Sequence, residues 1–132
     1  MLDLHDREWK DFRLLDYFRH EKGNQNNMAE LRPGAFPLVS ARNANNGYKD
    51  FVSENEKKHS FEGFCLTINN DGDGGAGISY YQPCKMLLDS HVTALYPKAS
   101  MTEEILKFFS ACITAQREKF GHGLSLIHIS EP

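Results

Sequence analysis

Phe36-Pro37-Leu38-Val39-Ser40-Ala41-Arg42-Asn43-Ala44-Asn45-Asn46-Gly47-Tyr48-Lys49-Asp50-Phe51-Val52 is two β-rich runs around a polar insert, and the reading of residues 36–52 decides the fold. Phe36–Ala41 follows Pro33-Gly34 and reads as a strand with Pro37 near its start, where a missing N–H does least harm. The insert ends in Asn46-Gly47, the pair that best tolerates positive φ, so a turn should return the chain into Tyr48–Val52 as a hairpin.

Outward from this hairpin, more strands are expected. Phe64–Ile68 and Ile78–Tyr81 flank residues 69–77, a loop holding four glycines, two aspartates and two asparagines. His91–Tyr96 alternates and stops at Pro97. Thr102 then caps a helix over about 102–119, with Glu103 and Glu104 in its first turn and Ile105, Phe108, Phe109, Cys112 and Ile113 at the spacing of one face. Trp9, Phe12, Leu14, Leu15, Tyr17 and Phe18 suggest a strand-to-helix entry at the N-terminal side. Residues 23–27 and 53–60, amide-rich and charge-rich respectively, read as loops with no packed element. Strands in series with helices at the ends define an α+β fold, a mostly antiparallel twisted sheet with an N-terminal helix or turn and a C-terminal amphipathic helix.

The 132 residues, 40% hydrophobic and 25% charged, suit one globular domain with a core that needs no metal or disulfide staple. A formal charge of −3 leaves no chain-wide basic field for nucleic acid or an anionic membrane, so any nucleic-acid contact must be local. Cys65, Cys84 and Cys112 fit neither a disulfide framework nor a zinc site and read as buried thiols of a reducing cytoplasm. The longest apolar run is four residues and nothing resembles a signal peptide, so a cytoplasmic, membrane-free protein is expected.

The glycine loop invites three ligand readings. Gly72-Asp73-Gly74-Gly75-Ala76-Gly77 fits G-x-G-x-x-G, but Ile78-Ser79-Tyr80-Tyr81 follows where a dinucleotide site needs a helix, and no acidic residue stands at the required distance. It lacks the Gly-Lys-Ser/Thr ending of a phosphate loop. Asn69, Asp71, Asp73 and Gly74 match the opening of a calcium frame whose bidentate place is Tyr80. A small-molecule or calcium-binding α+β domain using residues 69–77 stays as the alternative, beside a plain flexible connection. No His pair, Cys or Ser lies in a catalytic motif, so no catalytic or metal residue and no cofactor is assigned. His91 reads as a packed or surface residue.

Nine Asn and three Gln concentrate at 24–27, 43–46 and 69–70, all in expected loops. Amides can pair bidentately with adenine and Arg with guanine, so such loops with Arg42, Tyr48 and Lys49 suit base-edge reading; Asn also simply favours turns.

From about Trp9 to Gly123 the chain resembles the DNA target-recognition domains of restriction-modification specificity subunits, of type I or type IIB-like systems. The blocks are Trp9-Lys10-x-Phe12 with Leu15-x-x-Phe18, Phe36-Pro37-Leu38-Val39-Ser40-Ala41 with Asn45-Asn46-Gly47, Cys65-Leu66-Thr67-Ile68-Asn69-Asn70-Asp71-Gly72, Tyr80-Tyr81-Gln82-Pro83, and Asp89-Ser90-His91-Val92-x-x-Leu95-Tyr96-Pro97-Lys98. The glycine loop is longer than this family's usual turn. The resemblance implies a non-catalytic module that chooses the duplex DNA sequence for separate methyltransferase and restriction subunits, which would supply most phosphate neutralisation. Its implied DNA-contacting residues are Ser40, Arg42, Asn43, Asn45, Asn46, Tyr48 and Lys49 in the first loop, with Asn70, Asp71, Gly72 and Gly74 in the second. Residues 1–123 would form the domain, truncated at its C-terminal side. Leu124–Pro132 resembles the in-frame translation of a sequencing adapter and is expected to pack poorly, the alternative being a terminal strand.

Overall fold

The computed structural model describes residues 10–26, 31–54, 58–70, 75–116 and 128–131. Along the chain they form β1 (Lys10–Arg13), α1 (Leu14–Tyr17), β2 (Phe18–Lys22), β3 (Pro33–Val39), a single 3-10 turn at Asn45–Gly47, β4 (Tyr48–Val52), β5 (Cys65–Asn69), β6 (Ser79–Gln82), β7 (Leu87–Leu88), β8 (Val92–Pro97), α2 (Glu103–Ala115) and β9 (His128–Glu131). The α+β reading holds, and the ladders are antiparallel except for β3 with β7.

A four-stranded sheet in the order β2-β8-β5-β6 forms the middle layer. Its central strand β5 is buried at every position, including the polar Thr67 and Asn69. The period of two still sorts its side chains. Leu66 and Ile68 join Phe18 and Leu95 under α2, against Leu106 and Ile113. Cys65, with Val92 and Ala94, packs on the opposite side against Val39, Phe61, Met86 and Leu88. That opposite layer is the second sheet, β4-β3-β7. Fully burying one such Leu, Ile or Phe side chain contributes about 1.5–3 kcal/mol. The two cores thus hold the β3–β4 hairpin and α2 on either side of one rigid sheet.

The hairpin is present as β3 and β4, paired from Phe36↔Val52 to Val39↔Tyr48 with irregularities after Pro33 and Leu38. Pro37 lies inside β3 instead of at its start. β7 is only two residues long and pairs with Leu38 and Val39 alone, so no partner strand on that side asks Pro37 for an N–H.

α2 begins where the sequence places it. The Thr102 side chain accepts the Ile105 N–H at 3.2 Å, a cap worth about 1 kcal/mol. Glu103 pairs with Lys107 at 3.1 Å one turn on. The buried face is rotated from expectation: Leu106, Ser110 and Ile113 are buried and Phe109 sits edge-on to Phe18 at 5.2 Å, whereas Ile105 and Phe108 are 44% and 43% exposed. Apolar residues at both 105–106 and 108–109 offer two overlapping stripes, and packing against β5 and β6 selects the one starting at Leu106. Residues 117–119 of the expected helix lie outside the described residues.

Three further expectations are corrected. The N-terminal segment adds a strand, β2, which pairs with β8 from Phe18↔Pro97 to Lys22↔Thr93. Residues 23–26 are strapped down: Gly23 N–H donates to the Val92 carbonyl at 2.8 Å, Gln25 N–H to Leu88 at 2.9 Å, and the Gln25 side chain is buried. Cys84 is exposed, since it follows Pro83 in the short connection out of β6; Cys65 is buried and Cys112 intermediate.

β9 pairs antiparallel with β1, from Lys10↔Glu131 to Arg13↔His128, as a two-stranded ladder separate from the larger sheets.

Candidate functional site

One end of the middle sheet gathers the connections out of β2, β3, β5 and β7. Asp89 N–H donates to the Val39 carbonyl at 2.9 Å, Ser90 N–H to Gln25 at 3.0 Å, and Asn70 N–H to His91 at 2.8 Å. Residues 23–26, 40–42, 70, 75–77 and 89–91 therefore share this end, and among them are the described parts of both loops singled out from sequence.

Loop 40–47 is closed at its base by Ser40 N–H on the Gly47 carbonyl at 2.9 Å. Asn45, Asn46 and Gly47 are left-handed in succession, with φ of 56°, 55° and 80°. Asn accepts this region better than other non-glycine residues, and Gly47 is held there because a Cβ would stand 3.1 Å from Val39 Cγ1. The Asn-Asn-Gly sequence thus shapes the turn expected of it.

The candidate residues divide by position. Arg42, Asn43, Asn45 and Lys49 are exposed. Ser40 is 7% exposed and belongs to the loop's base. Tyr48 is half-buried against the Val39–Phe61 core and stacks edge-on to Phe51 at 5.9 Å. Asn46 faces inward: its Nδ2 donates to the Tyr81 carbonyl at 3.0 Å and to Gln82 Oε1 at 3.3 Å. Asn70 is exposed, its Oδ1 accepting the Thr93 hydroxyl at 2.8 Å. Asp71, Gly72 and Gly74 lie outside the described residues. Burial raises the pKa of the Tyr80 phenol, an effect that the nearby Arg42 charge partly offsets.

The two loops touch through Asn69. Its Nδ2 donates to the Arg42 carbonyl at 2.8 Å and to the Gly75 carbonyl at 3.1 Å, tying the first loop to the glycine loop. Gly75 sits close under Ala41, whose carbonyl a Cβ would approach to 3.3 Å. The residue a calcium frame would use first is thus a buried crosslink. Among the described residues no group of three His, Cys, Asp or Glu side chains could hold a metal, and no helix is long and apolar enough to cross a membrane. The remaining amide cluster is structural where it is described: Asn24 Nδ2 donates to the His59 carbonyl at 3.1 Å, and Lys58 Nζ to the Asn24 carbonyl at 2.7 Å.

A shallow groove of about 790 Å³ adjoins the first loop, lined by Asn46, Tyr48, Tyr80 and Tyr81 on one wall and by Lys107 and Thr114 of α2 on the other. The holding roles of Asn69 and Gln82 are marked in the sequence only by an amide directly after each of two β-rich runs.

This fold is shared with part of a solved restriction-modification specificity subunit. The S subunit of a type I system from M. genitalium superposes with a TM-score of 0.68 at 18% identity, covering 93% of this chain and 34% of that one. The HsdS subunit from Thermoanaerobacter tengcongensis gives 0.66 at 13% identity, covering 99% and 34%. In sequence, the chain is similar to a particular relative, the type II restriction enzyme specificity subunit S.BcgI of Heyndrickxia coagulans, with 28% identity over 124 residues, 91% of this chain and 34% of that protein. The chain spans about a third of the length of these relatives. No protein-family profile matches it.

Proposed function

We propose that this chain is a non-catalytic DNA target-recognition domain, which reads the base sequence of duplex DNA in the cytoplasm and directs separate methyltransferase and restriction subunits to it. The observation that carries this reading is the tie that Asn69 makes between loop 40–47 and residues 75–77 of the glycine loop, with Arg42, Asn43 and Asn45 exposed above a base fastened by buried amides. Arg pairs bidentately with guanine and Asn with adenine in the major groove, and a rigid base sets the depth to which they reach. Lys49 has no such fork and would contact phosphate, contributing affinity without sequence.

The relatives support this reading, being specificity subunits by name, one structure of them bearing on the assembly of a type I restriction-modification system. With a net charge of −3 the chain alone would bind weakly, phosphate neutralisation coming largely from its partner subunits. Residues 1–123 would be the domain, and residues 124–132 would not contribute to it.

Selection from a randomised duplex pool at fixed salt tests this. The chain should enrich a short motif. Arg42→Ala, Asn43→Ala or Asn45→Ala should each lose about 1–3 kcal/mol of discrimination at one position, while Lys49→Ala weakens all sequences nearly alike. A pool returned without enrichment contradicts the reading.

A further inference from the structure

We propose that Gln82, with Asn69 as its counterpart, is the positioning residue that sets the register of loop 40–47 and thereby its sequence discrimination; this rests on the reading of that loop as the DNA reader. Gln82 is the last residue of β6 and is 1% exposed. Its Nε2 donates to the Asn46 carbonyl at 3.0 Å and to Thr67 Oγ1 at 3.2 Å, while its Oε1 accepts the Asn46 Nδ2 at 3.3 Å. The Asn46 amide also reaches the Tyr81 carbonyl. The Gln82 carboxamide therefore holds Asn46 by both its main-chain carbonyl and its side-chain amide, and binds the loop to β5 and β6.

At the other side of the loop, Asn69 holds the Arg42 carbonyl. Both grips come from the rigid middle sheet, and between them lie Asn43, Ala44 and Asn45, the exposed apex. Asn69 Oδ1 is buried without a hydrogen-bond partner among the described residues, so this amide is oriented by its donor side alone. A buried acceptor left unpaired is a cost. It is tolerated where the donor end fixes two loop carbonyls at once. Asn46 accordingly acts from beneath the apex and not as a base contact.

The chemistry gives Gln82 a signature that a mere packing residue lacks. The ionised carboxylate of Gln82→Glu can still accept from Asn46 but cannot donate to its carbonyl. A protonated one can, by its O–H. Burial favours the neutral acid, so the lost grip should return as the pH falls.

The test uses the full chain, the motif duplex that it selects from a randomised pool and a scrambled duplex of equal length. Gln82→Leu should lower the ratio of motif to scrambled affinity by roughly tenfold, with scrambled binding held within about twofold. The exchange of the Arg42 and Gly47 amide hydrogens should quicken in the same variant, while exchange in α2 stays unchanged. Gln82→Glu should regain discrimination between pH 8 and pH 6, on the order of the carboxyl shift that burial causes, whereas Gln82→Leu should not. If both variants are folded and discriminate like the parent chain at every pH, Gln82 does not position the loop, and the DNA-reading proposal stands. If the parent chain selects no motif, that proposal fails and this one falls with it.

Discussion

Replacing Gly23 by alanine should cost about 3 kcal/mol of folding stability, through backbone and not through any side-chain contact. A Cβ built on Gly23 lies 1.9 Å from the Asp89 carbonyl oxygen, 2.7 Å from its carbon and 2.9 Å from the Val92 carbonyl oxygen. None of these is a flexible side-chain end that could swing aside. Ordinary contact begins at 3.4 Å, so the two segments must part by 1.5 Å, the difference between 3.4 and 1.9 Å. That separation stretches the Gly23 N–H bond to Val92, now 2.8 Å, and the Asn24 and Gln25 bonds to Leu88, now 3.1 and 2.9 Å, beyond hydrogen-bonding range. A buried backbone group left unpaired costs about 1–3 kcal/mol, and losing all three bonds at the low end of that range gives about 3 kcal/mol. Against a domain stability of about 5–15 kcal/mol this is large. Urea unfolding followed by far-UV circular dichroism should show the midpoint falling with the slope unchanged. A loss under about 1 kcal/mol would refute the claim that residues 23–26 are strapped to the 88–92 turn.

Thiol labelling of the folded chain should modify Cys84 first and leave Cys65 unmodified until unfolding, because burial pushes the Cys65 thiol up to about 12 and denies it a reactive thiolate; rapid modification of Cys65 at pH 8 would contradict this. The same shift has a stability consequence. The folded value lies above the ordinary 9.0, so its stabilising contribution is complete below pH 9 and is lost as the pH rises toward 12, which denaturant midpoints over that interval should register. Deleting residues 124–132 should lower stability by less than about 1 kcal/mol, since among the described residues β9 pairs with β1 alone, outside both larger sheets, and a greater loss would show the segment to be structural.

Local chemistry made the β3–β4 hairpin legible: Asn45-Asn46-Gly47 occupies left-handed backbone that few other triplets would accept, and the runs on both sides carry strand formers. The start of α2 was legible for the same reason, as Thr102 and the acidic first turn act within one turn of chain. Its buried face was not, because 105–106 and 108–109 are both apolar and only the sheet beneath decides between them. β7 is two residues long and carries no periodicity. At the candidate site, the sequence pointed to the exposed amides and Arg42, yet could not separate Asn46 from Asn45. Asn46 is turned inward by Gln82, distant along the chain, and such pairings leave no local mark. The same holds for Gln25, an amide in an apparently open loop that is buried by contacts with the 88–90 segment.

The most direct measurement of the central claim is the map of methylated sites produced by this chain in complex with modification subunits of a restriction-modification system, compared with the same complex carrying Arg42→Ala or Asn45→Ala. If loop 40–47 reads base edges, each variant should relax or change selectivity at one or two positions of the site, by about 1–3 kcal/mol per lost bidentate contact, while methylation remains measurable. Unchanged selectivity in every such variant would contradict the account and move the reading function to the glycine-rich loop.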